Sequence, residues 1–467
     1  MTIIAAISLT LISLLSHSVQ AIDLDITSKE SICSASSLVV DGLMDYYEGT
    51  QFGGTIGMFQ RPYYWWQAGH ALGGVLDHWY YCQNDTYELI LLDSLIAQAG
   101  ENYDYVPSNQ SLTEGNDDQG FWGILVMGAV ERNFTSAQSR STTDEKMPDW
   151  LGLTQAVYNT MWSRWDNDHC GGGLRWQIFS WNSGYSYKNT ISSACLFHIA
   201  ARLARFTSNE TYLETAETVY QWLADVGYVV EFDDEGHTRV FDGADIDHNC
   251  TTINHLEWTY NIGIMLSGCA YLYNFTESDI WLERTTKMFE YAQNFFKDGK
   301  YMYERACSSS KSCNTDQRSF RAIFSRSLGL TSVLVPTLTS RISILLQSSA
   351  IGASESCVAG YDGHTCGQDW SIGSHDGVYG LGEQMAALEI FNSLLVASSD
   401  PPLTKNSSGN TLEGDVNSGL KPGRSDAVYD ALNRHPLVIK PKDKAGAAII
   451  TALILSVLIV GTIWMCI

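Results

Sequence analysis

Eight consecutive residues, Gly115-Asn116-Asp117-Asp118-Gln119-Gly120-Phe121-Trp122, set two neighbouring carboxylates among small and aromatic side chains, just ahead of the apolar run 124–130. One chemistry that such a pair suits is glycosidic bond cleavage. A glycosidase flanks the scissile bond with two carboxyl groups, roughly 5–5.5 Å apart in retaining enzymes and wider in inverting ones. Asn116 is expected to cap a helix, and the positive end of the helix dipole favours two acids in the first turn. Capping alone also accounts for such a dipeptide, so the elements around it decide between the two readings.

Helical periodicity recurs in pairs: 31–47 with 65–81, 87–100 with 118–134, 150–165 with 190–206, 210–226 with 258–275, 280–296 with 319–330, and 336–348 with 378–397. Each second member opens after a Gly-, Asn- or aromatic-rich loop and is rich in small residues, as at 69–74, 192–201 and 377–387. Strand signals are confined to 173–177, 228–232 and 301–305. The pattern predicts an all-α toroid of six helix hairpins, one set of helices inside, the other outside, and six loops at one mouth. An open solenoid has the same period. Closure is favoured because the six pairs account for the whole core without atypical polar capping repeats.

The chain's 467 residues, 45% hydrophobic and 12% aromatic, are ample for one large core. Its 52 acidic against 28 basic residues give a net charge of −24, which repels phosphate backbones and excludes nucleic acid as a partner. Residues 1–21 read as a signal peptide, with an uncharged apolar segment and Val19-Gln20-Ala21 at the cleavage point; the missing basic start leaves a retained anchor as the alternative. Seven sequons, at Asn84, Asn109, Asn133, Asn209, Asn249, Asn274 and Asn406, suit an exported chain. So does an even count of ten cysteines before the tail, from which Cys307 with Cys313 and Cys357 with Cys366 are expected to close small loops, and Cys195 and Cys269 to be buried thiols.

A body spanning 22–400 is therefore expected to form one catalytic domain. Five of nine prolines fall after residue 400, marking 401–444 as a linker. The stretch 445–467 is uncharged, follows the basic run 440–444 and is long enough to span a bilayer. With small-residue triplets at Asn417-Ser418-Gly419 and Ser425-Asp426-Ala427, it fits a removed lipid-anchor signal with attachment at Asn417; a plain transmembrane helix meets the same length rule.

With Gly115 to Trp122, with Glu257-Trp258-Thr259-Tyr260-Asn261-Ile262-Gly263, and with segments of this kind at either end, the chain resembles the fungal, anchored cell-wall members of glycoside hydrolase family 76 over 31–398. The resemblance implies an (α/α)6 barrel that acts on α-1,6-mannosidic linkages with retention, Asp117 as nucleophile and Asp118 as general acid/base. It further implies transglycosylation at the outer face of the plasma membrane and in the cell wall: mannose-containing cores of glycolipid (GPI) anchors as donors, and wall glucan as acceptor. Two neighbouring carboxylates suit this chemistry, because like charges a few Å apart resist joint ionisation and leave one proton shared. The other class of function, a catalytically silent carbohydrate-binding wall protein, needs no acid pair.

Trp65, Trp66, Trp122, Trp258, Tyr260 and Trp370 sit in or beside the mouth loops and are candidate sugar platforms, against the alternative that a Trp at a helix start belongs to the core. His70, Arg175, His375 and Asp376 are weaker candidates for hydroxyl contacts. The acidic loop 242–247 lacks the spacing of a calcium loop, and turn carboxylates bonded to their own backbone explain it. No metal and no cofactor is expected.

Overall fold

The computed structural model describes residues 21–136, 147–408, 414–420 and 441–466. The signal peptide, apart from Ala21, and the 421–440 part of the linker, with Ser425-Asp426-Ala427, lie outside the described residues.

Among the described residues twelve α-helices build the body: α1 Lys29–Met44, α2 Trp65–Cys82, α3 Glu88–Ala97, α4 Asn116–Glu131, α5 Trp150–Ser163, α6 Thr190–Thr207, α7 Glu210–Asp225, α8 Thr259–Thr276, α9 Asp279–Ala292, α10 Phe320–Leu334, α11 Thr339–Ser356 and α12 Leu381–Val396. Odd and even helices differ in burial as outer and inner walls must. In α7 only one stripe is buried, including Tyr212, Thr215, Ala216, Val219, Tyr220 and Leu223, the spacing of an amphipathic surface helix. Every residue of α6 from Thr190 to Phe206 is buried, so it is surrounded on all sides. The inner helices touch each other in sequence around the ring, and α12 closes it against both α1 and α2. Asn392 bonds across that seam, accepting from Ser36 Oγ at 3.0 Å and donating to the Gly74 carbonyl at 3.0 Å. Closure rules out the open solenoid.

Close inner-helix contact demands small residues. A Cβ added at Gly120 of α4 would lie 2.4 Å from the Cβ of Cys195 on α6, so no larger residue fits without parting the helices. Helix α11 runs eight residues past the expected 348, because Ser349, Ala350, Gly352 and Ala353 are buried by close packing although they lack an apolar period.

The inner helices start at one end of the ring, the mouth, and finish at the other. At the closed end their last turns meet residues 403–405, whose N–H groups donate to the Glu131 and Phe206 carbonyls at 3.1 and 3.2 Å. Buried ion pairs tie this end together: Arg202 to Glu131 at 2.7 Å, Arg132 to Asp77 at 2.6 Å, and Arg326 to Glu389. Residues 414–420 lie along the outer helix α5, held by Asp415 N–H to Gln155 Oε1 at 2.7 Å and by Asn159 Nδ2 to the Val416 and Ser418 carbonyls, each at 2.9 Å. Asn417, the expected anchor attachment point, is thus part of a docked turn with Ser418 buried beside it, and transamidation there would have to release the turn.

A terminal helix, α13, covers Pro441–Cys466. Among the described residues no single helix is long and apolar enough to cross a membrane, the apolar stretch of α13 running over 444–459.

Small sheets fringe the mouth. Strands β1 Tyr187–Asn189, β4 Gly243–Asp245 and β5 Ile253–Asn254 form an antiparallel sheet in the order β1-β4-β5, with Lys188 opposite Ala244. The acidic loop 242–247 is therefore half strand, at 243–245, followed by a 3-10 turn at Ile246–His248, where Asp245 makes the expected local turn bond, accepting from Asp247 N–H at 3.1 Å. Two further hairpins pair β2 Val229–Val230 with β3 Arg239–Val240 and β6 Phe296–Lys297 with β7 Tyr301–Met302. The expected strand at 173–177 is a loop with a single bridge from Gln177 to Gly115. Disulfides join Cys307 to Cys313 and Cys357 to Cys366, as expected, and also Cys33 to Cys82 and Cys170 to Cys250; Cys195 and Cys269 are buried and free.

Candidate active site

Helix α4 delivers the two carboxylates to the mouth. Its N-cap is Gly115, not Asn116: the Asp118 side chain turns back to accept from Gly115 N–H at 2.6 Å, which frees Asn116 for other work. Asn116 fastens the turn to the loop opposite, donating from its backbone N–H to the Trp176 carbonyl at 2.8 Å and from Nδ2 to the Arg175 carbonyl at 2.9 Å, while its Oδ1 accepts from Arg164 Nε at 2.8 Å. Gly115 is obligatory by close approach. A Cβ there would stand 2.2 Å from Asp117 Oδ1 and 2.8 Å from Asp118 Oδ2.

The two acids keep some solvent contact at the mouth, yet Asp117 Oδ1 is buried without a hydrogen-bond partner. Burial, followed by the Asp316 carboxylate, holds Asp117 up to about 7, while the backbone N–H groups of Asp117 and Asp118 and the Trp176 indole N–H pull it down. Asp118 is pushed well above the ordinary carboxylate range by burial first, then by the charge of Asp117 and Asp316, and only Gly115 N–H opposes this. Asp117 has more donors and is the one to ionise; Asp118 keeps the proton. That division matches a nucleophile beside a general acid/base.

Asp316 itself was not singled out in the sequence. It lies in the loop before α10, accepts from Trp66 Nε1 at 2.8 Å and is raised to about 6 by burial. Glu114 is a second hidden acid: it is buried beside Asp118, neither carboxyl oxygen has a partner, and burial drives it well above its usual range. Nothing in a lone Asp or Glu within a polar loop distinguishes such residues before the ring brings them together.

The aromatic candidates divide. Trp66 packs its ring on Phe121 at 4.8 Å, and Tyr260 stacks on Phe320 at 3.9 Å, with Trp258 edge-on to the same Phe320. Trp66 and Trp258 are themselves buried; the links to the acids are the Trp66 indole N–H on Asp316 and Tyr260, on whose hydroxyl the charges of Asp242, Asp117 and Asp316 act. Trp65, Trp122 and Trp370 are corrections. Trp122 is wholly buried between Trp65 and Tyr105, with centroids 5.3 and 5.6 Å away, and so has no free face. Trp65 is buried with its indole N–H on Gln98, and Trp370 is buried under Arg321, whose guanidinium lies 4.3 Å from the ring. Trp65 and Trp122 hold helix positions that face inward in a closed ring, whereas Trp370 lies in the loop before α12, folded in beneath Arg321.

His70 lies below the mouth beside Arg326, buried and held well below its usual range, and Arg175 pairs with Asp166 at 2.8 Å. His375 and Asp376 organise their own turn, Asp376 accepting from the N–H groups of Gln368, Asp369 and Val378. Of the sequons, Asn109, Asn133, Asn249 and Asn406 are exposed, while Asn84, Asn209 and Asn274 are half-buried. Asn274 is tied at both ends of its amide, to Arg205 and to the Leu334 carbonyl.

Both exposed tryptophans among the described residues lie on the loop that Asn116 grips. Trp176 is 37% and Trp181 65% exposed.

A model of glycosyl hydrolase family 76 matches residues 31–406. Mannan endo-1,6-alpha-mannosidase DFG5 of Saccharomyces cerevisiae is 56% identical over 446 residues, 95% of this chain and 94% of its own length. Mannan endo-1,6-alpha-mannosidase DCW1 of the same organism is 50% identical over 445 residues, 95% of each. The crystal structure of Dfg5 from Chaetomium thermophilum in complex with glucosamine superposes with a TM-score of 0.78 at 36% identity, covering 85% of this chain and 97% of that one.

Proposed function

From the premise that this chain belongs to glycosyl hydrolase family 76, we propose that it cleaves α-1,6-mannosidic bonds with retention and passes the freed glycosyl unit to an acceptor sugar. The observation that carries the reading is the pair Asp117 and Asp118, adjacent at the mouth and unequal in proton affinity. Asp117 carboxylate attacks the anomeric carbon as the bond to the leaving oxygen breaks, and Asp118 gives that oxygen its proton. A glycosyl ester on Asp117 results. Asp118, now a carboxylate, takes the proton of the incoming hydroxyl, whose oxygen displaces Asp117 and restores the α configuration. Phe320, Tyr260 and Trp66 wall the site, and Asp316 keeps the pair's affinity for protons high.

Hydroxyl and water compete for the ester. A sugar held in the groove has an effective concentration far above that of dilute, unoriented attack, so a bound acceptor favours transfer. The donors proposed are mannose-containing glycans, including GPI-anchor cores, and the acceptor is cell-wall glucan. Plain endo-α-1,6-mannanase activity is the second reading, favoured by the names of the relatives. Four disulfides support export to an oxidising compartment, which suits a protein held at the outer face of the plasma membrane. Release by phosphatidylinositol-specific phospholipase would support a lipid anchor; release by detergent alone would refute it.

The test of the chemistry is product analysis. Purified protein with an α-1,6-mannooligosaccharide and a glucan oligosaccharide should yield a lengthened glycan of α configuration by mass spectrometry and NMR, and Asp117→Asn and Asp118→Asn should each abolish it. Hydrolysed donor alone, over a broad acceptor panel, reduces the reading to the mannanase. An inverted product overturns the role of Asp117.

A further inference from the structure

Trp181 is the more exposed of the two exposed tryptophans among the described residues, and its position is fixed although most of its surface is bare. Its indole N–H donates to the Ser111 carbonyl at 3.2 Å, and one ring face stacks on Phe179 with centroids 4.8 Å apart and planes within 14°. Asn182 locks the same turn, donating from Nδ2 to the Ser111 carbonyl at 3.2 Å and to Gln177 Oε1 at 3.1 Å, while its backbone N–H donates to the Phe179 carbonyl at 3.0 Å. The outer ring face is thus presented to solvent with little freedom left to lose, the condition under which an aromatic contributes most to binding. The turn is also continuous with the catalytic wall. Five residues earlier Trp176 takes the Asn116 N–H on its carbonyl and directs its indole N–H at Asp117, and Ile178 N–H donates to the Glu114 carbonyl at 3.2 Å.

We propose that Trp181 is a stacking platform that extends the substrate groove beyond the catalytic pair and takes one hexopyranose unit of the glycan, remote from the bond being cleaved. The class of ligand follows from the surroundings. A pyranose offers an apolar C–H face to the ring and hydroxyls at its edge, and Trp181 stands between Ser180, Asn182 and Ser183, which suit those hydroxyls. A net charge of −24 disfavours phosphorylated or sulfated ligands. The one indole face left open by the Phe179 stack falls short of the apolar area a protein partner needs.

The proposal rests on the glycosidase reading, so its test has one arm that requires turnover and one that does not. In the first, α-1,6-mannooligosaccharides of increasing length are compared in wild-type protein, Trp181→Ala and Trp181→Phe. Wild-type kcat/KM should climb with length, Trp181→Ala should flatten that climb by roughly tenfold, expressed in KM, and Trp181→Phe should restore most of it, since a stacked ring contributes on the order of tenfold in affinity. In the second arm, calorimetry in an Asp117→Asn background should find long oligomannosides bound roughly tenfold more weakly once Trp181 is Ala. Equal losses at every length, or no loss at any, overturn the platform. Trp181-dependent binding by a protein that turns nothing over supports the platform and overturns the glycosidase reading.

Discussion

Replacing Gly115 with Ala isolates positioning from folding. The glycine has φ −98° and ψ 166°, extended backbone that alanine adopts freely, so the mutation adds one methyl and no strain. That methyl would sit 2.2 Å from Asp117 Oδ1, 2.8 Å from Asp118 Oδ2 and 2.9 Å from the Trp176 carbonyl, whereas ordinary contact begins near 3.4 Å. The Trp176 carbonyl contact, tied by Asn116, must open by a few tenths of an ångström, and the carboxylates must yield further, Asp117 by about 1 Å, a displacement of the size that lowers turnover about 100-fold. The cost to stability is about 1 kcal/mol for alanine at an N-cap that glycine filled and about 1–3 kcal/mol for opening the Trp176 contact, which lowers Tm by several degrees and leaves the ring folded. Release of reducing ends from an α-1,6-mannooligosaccharide measures the first effect and differential scanning fluorimetry the second. Turnover within a few-fold of wild type would refute the crowding argument, and a collapse of Tm would refute the separation of site from fold.

Asp117→Asn should also raise Tm at alkaline pH. Burial lifts the native Asp117 from 3.8 to about 7, so between these values the folded state holds a proton the unfolded state has lost, and stability falls as pH rises through that window by up to about 1.4 kcal/mol per pH unit. The amide escapes this penalty; melting curves at pH 8 and pH 4 should differ in the mutant's favour only at pH 8, and a constant offset would count against a raised Asp117. Removing the Cys170–Cys250 bridge with paired serines frees a loop of separation 80 and should cost about 4 kcal/mol, read as a drop in Tm against the wild type, both without and with chemical denaturant. No change in either would mean that the sheet beside the mouth holds itself.

The ring was legible because its evidence is long-range and redundant: six repeats of helical period, each opening on a loop of similar composition, locate α1 to α12 to within a few residues except at the end of α11. The acid pair was legible because two carboxylates at a helix start form a local pattern. Short strands carry no such redundancy, and β1 and β4, with Lys188 and Asp245 in them, lack the alternation that marks a sheet. The platforms were misplaced for a related reason. Trp65 and Trp122 stand at helix starts, and only closure decides that those faces turn inward, whereas Trp176 and Trp181 lie in a loop whose register follows from the grip of Asn116, a contact no spacing rule foresees. Asp316 reaches Asp117 only through the assembled ring.

Closure by an even number of antiparallel helices has a topological consequence. The path enters at the start of α1 and leaves at the end of α12, and with twelve passes both points fall on the base of the ring, opposite the mouth; Cys33 near the start of α1, bonded to Cys82 at the end of α2, marks that base, as do residues 403–405 beneath α4 and α6. A pull on the N-terminal side reaches the barrel from below, while one on the C-terminal side first meets residues 414–420, docked on the flank along α5. A load on either side is then borne by the base or by the flank of α5, and not by the loops that carry Asp117 and Asp118.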